Sequence, residues 1–128
     1  MPEIVKQLKK LRRPERLLWA VGLFEGEGSF DVKVSNVTHT YGHYHYESLR
    51  MQLSSTDKDV LERFHSYVTI GSFNGPYSDS RDLTRKPYWH WSASGPKAIA
   101  LARKFIPFLG ARRTETFDKL MENHPSWK

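Results

Sequence analysis

Ala20-Val21-Gly22-Leu23-Phe24-Glu25-Gly26-Glu27-Gly28, running directly into Ser29-Phe30, is the stretch on which the fold turns. Upstream, Pro14 suits the first turn of a helix, and Leu17, Leu18, Ala20, Val21, Leu23 and Phe24 continue it as an apolar run. The pattern predicts a helix from Pro14 to about Glu25, ended by Gly26 and Gly28. Two features are costly for a helix end with no other job. Glu25 and Glu27 place anions at the negative end of the macrodipole, at about 0.3 to 1 kcal/mol each. Gly22 and Gly26, one turn apart, weaken the helix by roughly 1 kcal/mol each relative to Ala. Both costs are explained if two copies of the helix pack closely through Leu18, Gly22 and Gly26 and bring their carboxylates together. Two Glu27 carboxylates about 6 Å apart would repel by about 3 kcal/mol at an effective dielectric near 20. Such an arrangement calls for divalent cations with oxygen ligands.

From Ser29 the period changes to two. Phe30, Val32 and Val34 alternate with Asp31, Lys33 and Ser35, and Leu49, Met51 and Leu53 alternate with Ser48, Arg50, Gln52 and Ser54. These are the strands of a hairpin that turns near Thr38 to His43. Thr56 and Asp59 suggest a capping-box variant, and Val60, Leu61, Phe64, Tyr67 and Val68 keep helical spacing. A short segment around Ser72 to Asn74 and the alternating Tyr88 to Ser94 make a second hairpin, with Trp89, Trp91 and Ala93 on one face, under the following helix. Pro96 starts that helix, and Thr114 to Glu122 forms the last one. The expected architecture is α+β, in the order αββαββα plus a terminal helix. Its four-stranded antiparallel sheet has one face packed on helices and a polar face left open. Hydroxyls, amides and charges on such a face suit the base edges of a DNA groove, with a solvated surface as the plainer reading.

Composition points the same way. Twenty Lys and Arg against fourteen Asp and Glu give a net charge of +6, expected of a protein that meets phosphate. The excess is clustered in Lys6, Lys9, Lys10, Arg12, Arg13 and Arg16, and again in Arg81, Arg85 and Lys86. Residues 1–13 therefore read as a basic extension and residues 14–128 as a single domain. The chain has no Cys, hence no disulfide and no thiolate metal site, and no apolar run of membrane-spanning length. The expectation is an intracellular protein, cytoplasmic or inside an organelle if encoded there, with no membrane partner and no small-molecule cofactor.

The nine residues Ala20 to Gly28 resemble the motif that names the LAGLIDADG endonuclease family, keeping Gly22, Leu23 and the alternation of acid and glycine through Gly28. Glu replaces Asp twice, and Ala20, Val21 and Phe24 are apolar variants. The resemblance extends to Leu53-Ser54-Ser55-Thr56-Asp57-Lys58-Asp59-Val60-Leu61 and to Ile106-Pro107-Phe108-Leu109-Gly110. It implies a DNA-binding saddle, and a homodimer, because one motif supplies half of a two-helix interface. It implies a homing endonuclease that hydrolyses double-stranded DNA on a pseudo-palindromic site of about 20 bp, with Mg2+ or another divalent cation such as Mn2+. Glu27 would be the metal-binding acid and the Gly26 carbonyl a further ligand. Ser55 stands where many members have Gln, and Arg112 or Arg113 where they have Lys. Ser is shorter and Arg does not titrate, departures that bear on the rate of cleavage.

Strand parity selects Asp31, Lys33, Ser35, Ser48, Arg50, Gln52, Ser72, Asn74, His90 and Ser92 as base or backbone contacts, with Arg50 on guanine and Gln52 on adenine as the readable pairs. His39, His43 and His45 have no Cys or capping acid nearby and read as strand residues rather than a zinc site. The competing readings are a non-catalytic DNA-binding regulator or RNA-splicing maturase of the same fold, and a partner-binding protein whose charge is incidental.

Overall fold

The computed structural model describes residues 11–79, 81 and 84–128, so most of the basic extension lies outside the described residues. Helix α1 (Arg13–Glu27) feeds β1 (Gly28–His39), which turns back as β2 (Gly42–Ser55). Helix α2 (Lys58–Val68), β3 (Ser72–Tyr77), β4 (Tyr88–Ser94) and α3 (Pro96–Phe105) follow. A 3-10 turn (Ile106–Phe108) then leads to α4 (Ala111–Asn123) and a closing 3-10 turn (Pro125–Trp127). The strands form one antiparallel sheet in the order β1-β2-β4-β3, the α+β arrangement that the alternation of periods predicts.

The end of α1 differs from the sequence reading. Gly26 does not stop the helix, which runs on to Glu27 and enters β1 through Gly28 in an extended conformation. Gly28 is required for space rather than for a left-handed turn: a Cβ there would run into the Phe24 ring. The start of α2 differs as well. Its N-cap is Asp57, and no capping side chain closes the box expected of Thr56 and Asp59. The Asp57 amide donates instead to Ser55 Oγ, at 3.0 Å.

The helices cover one face of the sheet. Ala20, Val21 and Phe24 of α1 meet Phe30, Leu49, Met51 and Leu53 from the first hairpin, and Phe64, Phe105 and Phe117 close the layer. Phe24 lies 5.1 Å from Phe30 and 5.6 Å from Phe105 between ring centroids, contacts worth about 0.5 to 1.5 kcal/mol each beyond area burial. Trp91 is fully buried in the core that α3 helps to form and also packs edge-on against Phe64 of α2, at 4.7 Å. Its indole N–H donates to the Ile70 carbonyl at 3.0 Å. Gly71, at φ +88°, lets the chain turn there, and a Cβ would sit within 3 Å of the Trp91 ring.

Candidate active site and nucleic-acid interface

Because α1 ends where β1 begins, its last carboxylates are delivered to one end of the sheet, beside the last residues of β2. The two acids there have different surroundings. Glu25 accepts the Gly110 amide N–H at 3.1 Å, at the N-cap of α4, and lies 3.5 Å from Arg113 Nη1. Its charge is unfavourable for α1 and favourable for α4, whose positive end it faces. Glu27 is exposed and makes no hydrogen bond or ion pair among the described residues. It lines a cleft of about 440 Å³ with Ser54, Ser55, Asp57 and Tyr88.

The other candidates for the chemistry divide in the same way. Ser55 shares the cleft with Glu27, but its hydroxyl is engaged by the Asp57 amide. Arg113 is largely buried, donating from Nε to the Gly28 carbonyl at 3.0 Å while facing Glu25. Arg112 is exposed beside Gly28 and Ser29 and makes no side-chain hydrogen bond or ion pair among the described residues. The Gly26 carbonyl belongs to the last turn of α1, where no further turn is available to accept from. No cluster of three metal-ligating side chains occurs among the described residues.

On the opposite side of α1 from the core, Leu18 is 52% exposed, and a Cβ added at Gly22 or Gly26 would meet nothing within 4 Å. Leu18, Gly22 and Gly26 stand at intervals of four and so share one open stripe. Among the described residues nothing within a single chain requires the two glycines.

The sheet's polar face carries the residues that parity selected. Register pairs Asp31 with Arg50, Lys33 with Ser48, and Gln52 with Ser92, and it pairs Ser72 with Ser92 and Asn74 with His90. Ser35 lies opposite Tyr46 on the same face. The irregularity between Asn74 and Tyr77 falls after the selected β3 residues and leaves their parity intact. Arg50 and Asp31 form a two-bond ion pair at 2.8 and 2.7 Å, and hydrogen bonding to Asp31 raises the Arg50 pKa above its ordinary value. His90 meets Ser54 Oγ at 2.7 Å. Burial, reinforced by the nearby Arg50 charge, lowers the His90 pKa, so the ring is neutral at neutral pH.

Two parts of this face escaped sequence reasoning. Lys97 joins Lys33, Arg50 and the hydroxyls of Ser72, Ser92 and Ser94 around a recess of about 180 Å³ that no acidic side chain lines. Its signal was a cation in the first turn of α3, where the dipole disfavours one. Farther out, His39 stacks on Tyr41 at 5.1 Å, and Tyr44 and Tyr46 continue the aromatic file. Alternating Tyr and His at 43–46 marked a strand but not which residue type would face which way.

The family model for LAGLIDADG endonucleases matches residues 20–109. The chain belongs to that family. The fold recurs among solved structures of homing endonucleases. The homing endonuclease I-TnaI is 19% identical with a TM-score of 0.61, over 88% of this chain and 70% of that one. I-CvuI, determined with the I-CreI target and Mg without cleavage, is 10% identical with a TM-score of 0.58, over 79% and 60%. The archaeal intron-encoded I-Vdi141I, solved with DNA, is 16% identical with a TM-score of 0.56, over 80% and 62%. This LAGLIDADG chain thus spans about 60% of the length of I-CvuI. No curated protein matches it in sequence.

Proposed function

We propose that the chain is a site-specific double-stranded DNA endonuclease acting as a homodimer, with α1 at the dyad and each polar sheet face in a major groove. The observation that carries this reading is the division of the two motif acids. Glu25 is spent on α4, whereas Glu27 stands free at the tip of a helix whose open glycine stripe fits a second helix. The donor set suits a hard divalent cation, Mg2+ or Mn2+, in an incomplete way: one carboxylate and the Gly26 carbonyl from one chain, where six or more oxygens are needed. A second chain's Glu27 and a DNA phosphate would add to it, with water in the remaining positions. Such a cation would supply Lewis acidity and neutralise the charge gathered at the scissile phosphate. Arg112, exposed beside the helix tip, is the cation best placed among the candidates to meet that phosphate.

A second reading has its own support. Ser55 and Arg113 are both engaged within the fold, which is compatible with a chain that binds DNA as a regulator or binds RNA as a maturase without cutting. A plasmid carrying sites selected from a randomised duplex pool separates them. The endonuclease reading expects cutting or nicking in Mg2+ by the wild type and binding without cutting by Glu27→Gln. Binding of the selected sites with no strand broken by either protein would establish the second reading.

A further inference from the structure

Three side chains on the polar face form a closed unit. Arg50 donates from Nε to Asp31 Oδ1 at 2.8 Å and from Nη2 to Oδ2 at 2.7 Å. Gln52 donates an amide N–H to the same Oδ2 at 2.8 Å. Asp31 lies directly across the hairpin from Arg50, so β1–β2 register brings the three together. The pair is about a third exposed, 33% for Arg50 and 37% for Asp31. At such exposure an ion pair adds little to stability and fixes a long side chain in one geometry. The fold alone gives no strong reason to hold Arg50 this way.

The geometry determines what the unit can still do. A guanidinium has five donors, and the carboxylate takes the Nε/Nη2 edge, leaving two parallel donors on the Nη1/Nη2 edge. That edge matches the O6 and N7 acceptors of guanine. Gln52 retains its carbonyl oxygen, an acceptor suited to the exocyclic amine of adenine or cytosine. Asp31 has three of its roughly four lone-pair directions occupied and is poorly available to a base. A lone carboxylate facing a duplex would also be repelled by phosphate, whereas one spanned by Arg50 and Gln52 is offset.

Resting on the endonuclease reading, we propose that Asp31 is a positioning residue that makes Arg50 and Gln52 one preassembled reading unit. Arg50 reads a guanine, and Gln52 reads an amine-bearing base within two base pairs of it. This replaces the direct DNA contact that strand parity assigned to Asp31, and it broadens Gln52 from an adenine reader to a reader of either amine-bearing base, adenine or cytosine.

The test selects bound duplexes from a randomised pool in the non-cutting Glu27→Gln background, with Asp31→Ala, Arg50→Ala and the double variant compared. The background protein should enrich a guanine at one position, with A or C close by. Arg50→Ala should lower discrimination for that guanine by roughly 5- to 150-fold. Asp31→Ala should weaken the same preference without losing affinity for random DNA, and the double variant should be no worse there than Arg50→Ala alone. Unchanged preference in Asp31→Ala overturns the proposal, as does loss of preference at a separate cytosine position, which would make Asp31 itself the reader. A uniform loss over all sequences in Arg50→Ala, with a shallower salt dependence, overturns it by making Arg50 a phosphate ligand. Failure of the background protein to enrich any sequence removes the endonuclease reading itself, and the proposal with it. Circular dichroism of each variant, together with Arg50→Lys, which keeps the charge but not the two-donor edge, separates misfolding from lost readout.

Discussion

Glu25→Ala and Glu27→Gln are expected to move the stability of the metal-free protein in opposite directions. The Glu25 carboxylate accepts the Gly110 amide at 3.1 Å and stands 3.5 Å from Arg113. Hydrogen bonds to charged groups are worth about 1.5 to 3 kcal/mol. Glu25 is 39% exposed, so solvent screening brings the expected loss to about 1 to 2 kcal/mol. In a domain of this size that lowers Tm by roughly 3 to 10 °C. Glu27 makes no contact of this kind and opposes the α1 macrodipole, so neutralising it should stabilise the fold by about 0.3 to 1 kcal/mol. Thermal and urea melts followed by circular dichroism in chelator measure both values. A loss in Glu27→Gln as large as that in Glu25→Ala would show the Glu27 carboxylate to be held within the fold, and its assignment to metal would fall.

Gly22→Leu should leave the single chain at least as stable, because the new side chain meets open space and gains up to about 1 kcal/mol of helix propensity, while dissociating the proposed dimer. Sedimentation showing an intact dimer would reject the α1 interface. Lys97→Ala should reduce the slope of log affinity against log salt by about 0.9 with base preference unchanged, and an altered preference would contradict a phosphate contact. The closing 3-10 turn should dock in a pH-dependent way. When protonated, His124 donates from both ring nitrogens, to the Leu120 carbonyl and to Glu47, which raise its pKa, while His45 and then His124 lower that of Glu47. The His124 contribution is full below its ordinary value of 6.5 and is lost as pH rises through the raised one. The Glu47 contribution is full above 4.5 and is lost as pH falls through the lowered one. Docking is therefore tightest between these two ordinary values. Trp127 donates its indole N–H to the Glu47 carbonyl at 2.9 Å, and exchange of that proton followed by NMR reads the docking. Protection that keeps growing above neutral pH would refute this account.

Local periodicity made the elements and the two faces of the sheet legible. Phe30, Leu49, Met51 and Leu53 are buried while Asp31, Arg50 and Gln52 stand opposite, because a period of two leaves no other choice once one face is covered. The motif made α1 and its acidic tip legible. What it could not show was what holds Glu25, since Gly110 and Arg113 lie more than eighty residues on and only the tertiary fold brings them back. The Asp31–Arg50 pair was hidden for a related reason: parity tells which side chains share a face, not which of them bind one another. The helix boundary moved because Gly28 answers to the Phe24 ring, a contact with no trace in residue order.

The first hairpin is much longer than the second, with strands of twelve and fourteen residues against six and seven, and its pairing with β4 stops at Arg50. The platform is therefore stepped. Its inner portion is four strands wide and stiffened by helices. Its outer portion is a two-stranded ribbon, a form that twists more readily, braced at Glu47 by the C-terminal turn. For a duplex lying along it about the proposed dyad, fidelity would be graded by distance from that dyad, strict near the centre and forgiving at the ends. A lineage with such a reader could follow a drifting target outward-first, absorbing changes in the flanks while the middle stays constrained.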